Sequence, residues 1–134
     1  MKAVDTSVII AGFASWHESH TLARRVLDDS PALIAHCALE TYSVLTRLPV
    51  PHRSPPQVVA KFLAERFRAA PLSLPPAAHL KLVSRLAAAG IVGGAVYDAL
   101  VAATAVHHKA QLVTLDERAS DTYERLGVDV IRLT

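Results

Sequence analysis

The sequence predicts an α/β protein, a parallel sheet of four to five strands with helices on both faces. Three observations lead there. Short apolar segments alternate with longer ones whose apolar residues recur at helical spacing. Glycine and proline stand at many of the junctions. Strands separated by helices need crossover connections, which are right-handed and leave the strands parallel.

Taken in order, Lys2 to Asp5 reads as a first strand and Thr6 to Phe13 as a helical turn. His17 to Asp29 carries Leu22, Val26 and Leu27 at helical spacing, with Arg24 and Arg25 on the other side, and Ser30-Pro31 stops it. Ala32 to Ala35 is a buried strand by its unbroken apolar run. Ala38 to Leu48 is a helix. Pro49 to Pro56 is a stiff loop, because proline fixes the backbone and removes donors. Ser54 is expected to cap a helix from Pro55 with Val58, Val59, Phe62, Leu63 and Phe67 on one face. Pro71 to Leu74 is a short strand, and Pro75 to Ala89 a helix ended by Gly90. Gly93-Gly94 opens a helix to about Lys109 that is apolar nearly all round from Ala95 to Val106 and so should be buried. Gln111 to Leu115 is a strand, Glu117 to Leu126 a helix closed by Gly127, and Asp129 to Leu133 the last strand.

A chain of 134 residues is one domain by size, and no repeat or linker divides it. With 51% hydrophobic and 19% charged residues it is not a disordered chain. Fourteen Lys and Arg against twelve Asp and Glu give a net charge of +2, which argues against a polybasic nucleic-acid binder but allows a local basic face. A single cysteine, Cys37, excludes an internal disulfide and a cysteine-rich zinc site. The apolar N-terminus is interrupted by Asp5 without a cleavage pattern, and the apolar stretch Gly90 to Val106 carries Asp98. The expectation is a soluble cytosolic protein with a reduced thiol.

The chemistry is expected at four carboxylates. Ligand sites of open parallel sheets lie beyond the carboxyl ends of the strands. Asp5 and Asp116 follow two strands and point to that edge. Glu40 is placed in the first turn of the helix after the second strand, and Asp98 in the first turn of the helix before the Asp116 strand. Asp5 and Asp116 could each be only an N-cap, and Glu40 a first-turn acid complementing the helix dipole. Asp98 is harder to dismiss: it is the only charge between Arg85 and Lys109, with no basic residue near in sequence to pair with it. A bound cation would relieve both its burial and the mutual repulsion of the four acids. All-oxygen ligation suits Mg²⁺ or Mn²⁺ rather than zinc. Such clusters serve phosphate-ester chemistry, since a metal can activate water and neutralise charge on the leaving oxygen.

These residues resemble a known family. Val-Asp-Thr-Ser-Val at Val4 to Val8, Ala-Leu-Glu at Ala38 to Glu40, Tyr-Asp-Ala-Leu-Val-Ala-Ala-Thr-Ala at Tyr97 to Ala105 and Leu-Val-Thr-Leu-Asp at Leu112 to Asp116 are similar, in order and spacing, to the PIN domain, more narrowly to VapC-type toxin ribonucleases. The resemblance implies a three-layer α/β/α fold with strand order 3-2-1-4-5. It implies an acidic tetrad of Asp5, Glu40, Asp98 and Asp116, with Asp121 as the alternative fourth acid. Asp5 and Asp98 would be the principal metal ligands, Glu40 and Asp116 would ligate directly or through water, Glu40 would also assist in activating the attacking water, and Thr6, Ser7 and Thr114 would orient carboxylates. The implied reaction is Mg²⁺- or Mn²⁺-dependent hydrolysis of structured RNA, tRNA or rRNA, leaving a 3′-hydroxyl and a 5′-phosphate. The implied partners are a cognate VapB antitoxin and a second copy of the chain.

Weaker signals complete the reading. Arg24, Arg25, Arg47 and Arg53, with Lys61, Arg66 and Arg68, are a candidate RNA-binding rim, although a charged helix face is usually just solvated. His17 and His20 are expected to share a helix face, but the seven histidines match no zinc spacing. Trp16, Phe62 and Phe67 read as core or dimer contacts, and Cys37 as an inert core residue. A haloacid-dehalogenase-type phosphatase would need a second acid two residues after Asp5. A phosphoacceptor receiver would need paired acids there and a late lysine. The remaining alternative is a catalytically silent RNA- or partner-binding protein.

Overall fold

The structure, a computed structural model, describes residues 1–134. Strand β1 (Lys2–Val4) leads into α1 (Thr6–Phe13) and α2 (His20–Asp28). Then come β2 (Ala32–Leu33), α3 (Ala35–Arg47), α4 (Pro56–Arg66) and α5 (Pro76–Ala89). The chain finishes with α6 (Ala95–His107), β3 (Gln111–Thr114), α7 (Glu117–Arg125) and β4 (Val130–Arg132). The sheet runs β2-β1-β3-β4 with every neighbouring pair parallel.

Register places Val4 between Leu33 and Val113, and Ala3 between Ala32 and Leu112. Successive residues of a strand face opposite ways. Val4, Leu33 and Val113 on one face and Ala3 and Leu112 on the other are all buried, so helices cover both faces, as a parallel sheet requires. From β1 the chain crosses to β2 on one side, and from β3 to β4 on the other. The crevice between the carboxyl ends of β1 and β3 is therefore the switch point where such sheets bind ligands.

Several expected boundaries move. The strand at Pro71 to Leu74 reduces to one parallel bridge between Ile34 and Leu72. Prolines at 71 and 75 supply no N–H, and only the pairs Leu72 N–H to Leu33 O and Ala35 N–H to Leu72 O form, each at 2.8 Å. It occupies the place of the outer strand in the 3-2-1-4-5 order. Helix α3 begins at Ala35, three residues before the expected Ala38, which puts Glu40 in its second turn rather than its first. Ser54 does not cap α4; Pro55 holds that position without a side-chain bond. Val58 is half exposed, because it lies about 100° round the helix from buried Val59. Helix α6 is not buried all round: Tyr97 and Val106 face outward, while Ala99, Val101, Ala102 and Ala105 are buried. Helix α2 starts at His20, so His17 lies in the preceding turn and the two histidines share no helix face. Gly90 ends α5 at φ 68, the left-handed conformation glycine adopts without strain.

Trp16 is not a core residue: it is 49% exposed, its ring 4.1 Å from that of His52. Phe62 meets Phe13 edge to face at 5.1 Å, and Phe67 is buried.

Gly12 lets α1 approach α2. A Cβ there would stand 2.3 Å from Leu27 Cδ1 and 3.3 Å from Leu27 Cγ, and Leu27 is itself buried. Gly12→Val is expected to cost roughly 1–3 kcal/mol through overpacking. A thermal melt should show Tm lower by about 5 °C or more; an unchanged Tm would contradict this packing.

Candidate active site

Asp5 leaves β1 and caps α1, with Oδ1 accepting from Val8 N–H at 3.4 Å. Asp116 follows β3 by one residue and caps α7, with Oδ1 accepting from Ala119 N–H at 3.1 Å. Both acids are therefore N-caps, and both also line one cavity of about 230 Å³. Glu40 from α3 and Asp98 from the first turn of α6 line the same cavity, with Thr6, Ser7, Cys37 and Tyr123. Four carboxylates from four segments thus meet at the switch point. Asp121 is exposed and outside the cavity. A larger cavity, about 830 Å³, lies against the amino ends of β1 and β2 and is lined mostly by apolar residues. Its acids, Asp28, Asp29 and Glu65, are accompanied by Lys2, Arg66 and Arg68.

Asp5 is 3% exposed. Its Oδ1 accepts from Ser7 Oγ as well as Val8 N–H, and its Oδ2 accepts from Thr114 Oγ1 and from Tyr123 Oη at 2.8 Å. Burial pushes this carboxyl up from its ordinary range, and the four hydrogen bonds pull it partly back. A carboxylate has about four acceptor positions, so those of Asp5 are all engaged. Ser7 Oγ also accepts from Leu115 N–H at 2.9 Å, and Thr114 Oγ1 from Asp116 N–H at 2.9 Å, tying both hydroxyls to the β3–α7 turn. Thr6 Oγ1, expected to orient a carboxylate, is buried and makes no hydrogen bond.

Asp98 is 20% exposed at its side chain. Burial raises its carboxyl, Arg118 lowers it, and Asp116, Glu40 and Asp5 raise it further, with a net upward shift. No basic residue is near Asp98 in sequence, but the fold brings one to it from α7. Arg118 Nη1 lies 3.7 Å from Asp98 Oδ2, and its Nη2 lies 3.5 Å from Asp116 Oδ2. Glu40 Oε2 lies 3.5 Å from His36 Nε2, and the His36 ring stacks on Tyr97 at 5.3 Å. Burial raises the Cys37 thiol far above its ordinary range, so it stays protonated and unreactive.

Tyr123 and Arg118 were not singled out by sequence reasoning. A signal existed for Tyr123, which stands seven residues, two turns, beyond Asp116 on one face of α7. The candidate basic rim is mostly engaged within the chain. Arg24 donates to Gly12 O at 3.2 Å, Arg53 to Leu48 O at 2.9 Å and Arg47 to Ser43 Oγ at 3.1 Å. Arg25 is exposed.

The donor set is all oxygen, which is the chemistry of a hard divalent cation. Asp98, Glu40 and Asp116 each keep unbonded carboxylate lone pairs, so the residues suit such an ion. As placed, no three of the acidic, His and Cys side chains stand close enough to share one ion. Arg118 lies between two of the acids, and the acceptors of Asp5 are filled.

Comparison with known proteins gives the family and the fold. The profile of the PIN domain family matches residues 2–125. The chain is 51% identical over 134 residues, the whole of both chains, to "Ribonuclease VapC40" of Mycobacterium tuberculosis. It is 48% identical over 130 residues to "Ribonuclease VapC27" of the same organism, covering 96% of this chain and 94% of that one. Among solved structures, a chain of VapBC2 from Rickettsia felis bound to a DNA fragment from its promoter superposes with TM-score 0.69. That likeness covers 99% of this chain and 98% of that one at 14% identity, and it supports the fold.

Proposed function

The chain belongs to the PIN-domain family and is of its VapC type, and from that premise we propose that it is the toxin of a type II toxin–antitoxin pair, an endoribonuclease that uses Mg²⁺ or Mn²⁺ to hydrolyse structured RNA. The observation that carries this reading is the convergence of Asp5, Glu40, Asp98 and Asp116 on one cavity at the sheet's switch point. The names of the two relatives, both ribonucleases, support it. The substrate class is tRNA or rRNA, and its cleavage stops translation and growth in the cytoplasm. The neutralising partner is a VapB-type antitoxin. No helix is long and apolar enough to cross a membrane.

A divalent ion held by Asp98, Asp116 and Glu40, with Asp5 joining only where one of its four hydrogen bonds gives way, would lower the pKa of bound water and neutralise charge on the scissile phosphodiester. Asp5 is the fixed point of the site, since Ser7, Thr114 and Tyr123 lock its orientation and keep its charge tolerable in a buried place. Glu40 is 43% exposed at its side chain and accepts no hydrogen bond, which leaves an oxygen to take a proton from attacking water. No Ser or Cys nucleophile is needed, consistent with a protonated Cys37. The dimer proposed with this reading forms through helices, where Leu39 on α3 and Leu80 and Val83 on α5 leave apolar side chains exposed.

The silent-binder alternative is favoured by one observation, the full set of donors already on Asp5. Metal removal separates the two readings. Purified protein with total RNA should give discrete fragments in Mg²⁺, none with excess EDTA, and fragments again when Mg²⁺ is restored. Cleavage that persists in EDTA overturns the metal-dependent mechanism. No cleavage of any RNA under either condition favours the silent binder.

A further inference from the structure

Arg118 is the second residue of α7, and its side chain is 75% exposed. Its guanidinium stands beside the cavity, outside its lining, 3.7 Å from Asp98 and 3.5 Å from Asp116, whose side chains are 20% and 33% exposed. No other Arg or Lys lies within ion-pair distance of any of the four acids. The contacts are long for charge-assisted hydrogen bonds, which form at about 2.7–2.9 Å. Exposed pairs of this kind are weak and cheap to break. The arrangement therefore has three properties at once: a positive charge between two acids of the candidate metal site, little burial holding it there, and a flexible stem.

We propose that Arg118 is the displaceable counter-cation of the Asp98–Asp116 pair. It balances their repulsion in the metal-free protein, gives way when a divalent ion takes the same carboxylates, and then presents its guanidinium to an RNA phosphate at the cavity mouth. This rests on the metal-dependent reading above. An ion seeking the lone pairs of Asp98 and Asp116 competes with a charge already there, so removing that charge strengthens ion binding. A cavity lined by four acids repels an RNA backbone, and a planar fork of N–H donors at its rim offsets that repulsion and matches phosphate geometry. The same residue thus opposes one ligand and favours the other, which a purely structural role would not do.

The test uses the full-length protein with Mn²⁺ alone in calorimetry, then RNA cleavage at saturating Mn²⁺. Arg118→Gln is expected to bind Mn²⁺ about 3- to 10-fold more tightly than wild type and to raise KM for RNA by a similar factor. Arg118→Lys keeps the charge and should bind Mn²⁺ within about twofold of wild type. Both variants should melt near the wild-type Tm, because the side chain is exposed. Mn²⁺ affinity that is unchanged or weaker in folded Arg118→Gln overturns the displacement while leaving the metal site standing. Tighter Mn²⁺ with an unmoved KM keeps the displacement and overturns the phosphate contact. No Mn²⁺ binding by either wild type or Arg118→Gln overturns the metal reading and the displacement with it.

Discussion

Asp5→Asn is expected to lower kcat/KM for RNA cleavage by about a thousandfold or more, an increase of about 4 kcal/mol in the barrier. The substitution is nearly isosteric, so the cavity keeps its shape. What changes is charge. Asp5 is the buried carboxylate on which Ser7, Thr114, Tyr123 and the α1 N-terminus converge. Asparagine offers one acceptor oxygen and an amide that donates, so those hydroxyls must reorient and the site loses a full negative charge toward any cation. Single-turnover cleavage of a defined RNA, with circular dichroism to verify the fold, measures the effect. A loss of less than about tenfold, far below the several kcal/mol expected for the buried charge of a metal site, would remove Asp5 from the mechanism.

The second large effect is a reversal in stability. Asp98 has its folded pKa raised above its ordinary value of 3.8, chiefly by burial and then by its acidic neighbours, against the pull of Arg118. In the window above that value the folded state binds more protons than the unfolded one, so stability falls as pH rises through it. Below 3.8 the contribution vanishes; above the raised folded pKa the full penalty is present. Asp98→Asn removes it. In EDTA at neutral pH the variant should melt above wild type by about 2–5 °C, with the difference shrinking toward pH 4. Saturating Mn²⁺ should reverse the order, because ion binding stabilises wild type by roughly 2.7 kcal/mol at a hundredfold excess over Kd and the variant gains little. Scanning fluorimetry across pH, with and without Mn²⁺, tests both halves. A variant less stable than wild type at neutral pH in EDTA contradicts the account.

Much of this was legible in the sequence because parallel α/β topology ties chemistry to strand ends. Asp5 and Asp116 each follow a strand, and Asp98 opens a helix, so three acids could be placed on one edge without knowing any packing. Glu40 lies on the expected helix but in its second turn rather than its first. Only Ala32 and Leu33 of the apolar run pair as strand, and the chain enters α3 at Ala35. The segment Pro71 to Leu74 makes one bridge rather than a strand, because Pro71 and Pro75 supply no N–H to a longer ladder. Arg118 was invisible for another reason. It stands twenty residues from Asp98, and only the packing of α6 against α7 brings the two together. Tyr123 read as one more residue on an amphipathic helix, and its phenol acquires meaning only when Asp5 is seen beside it.

The central claim is that the acidic cavity cuts RNA. Induced expression of wild type and of Asp98→Asn, followed by sequencing of the 5′ ends of total cellular RNA, tests it most directly. New 5′-phosphate ends at one or a few discrete sites in tRNA or rRNA, with wild type only, are the predicted result. The same ends at the same abundance with soluble Asp98→Asn would contradict it.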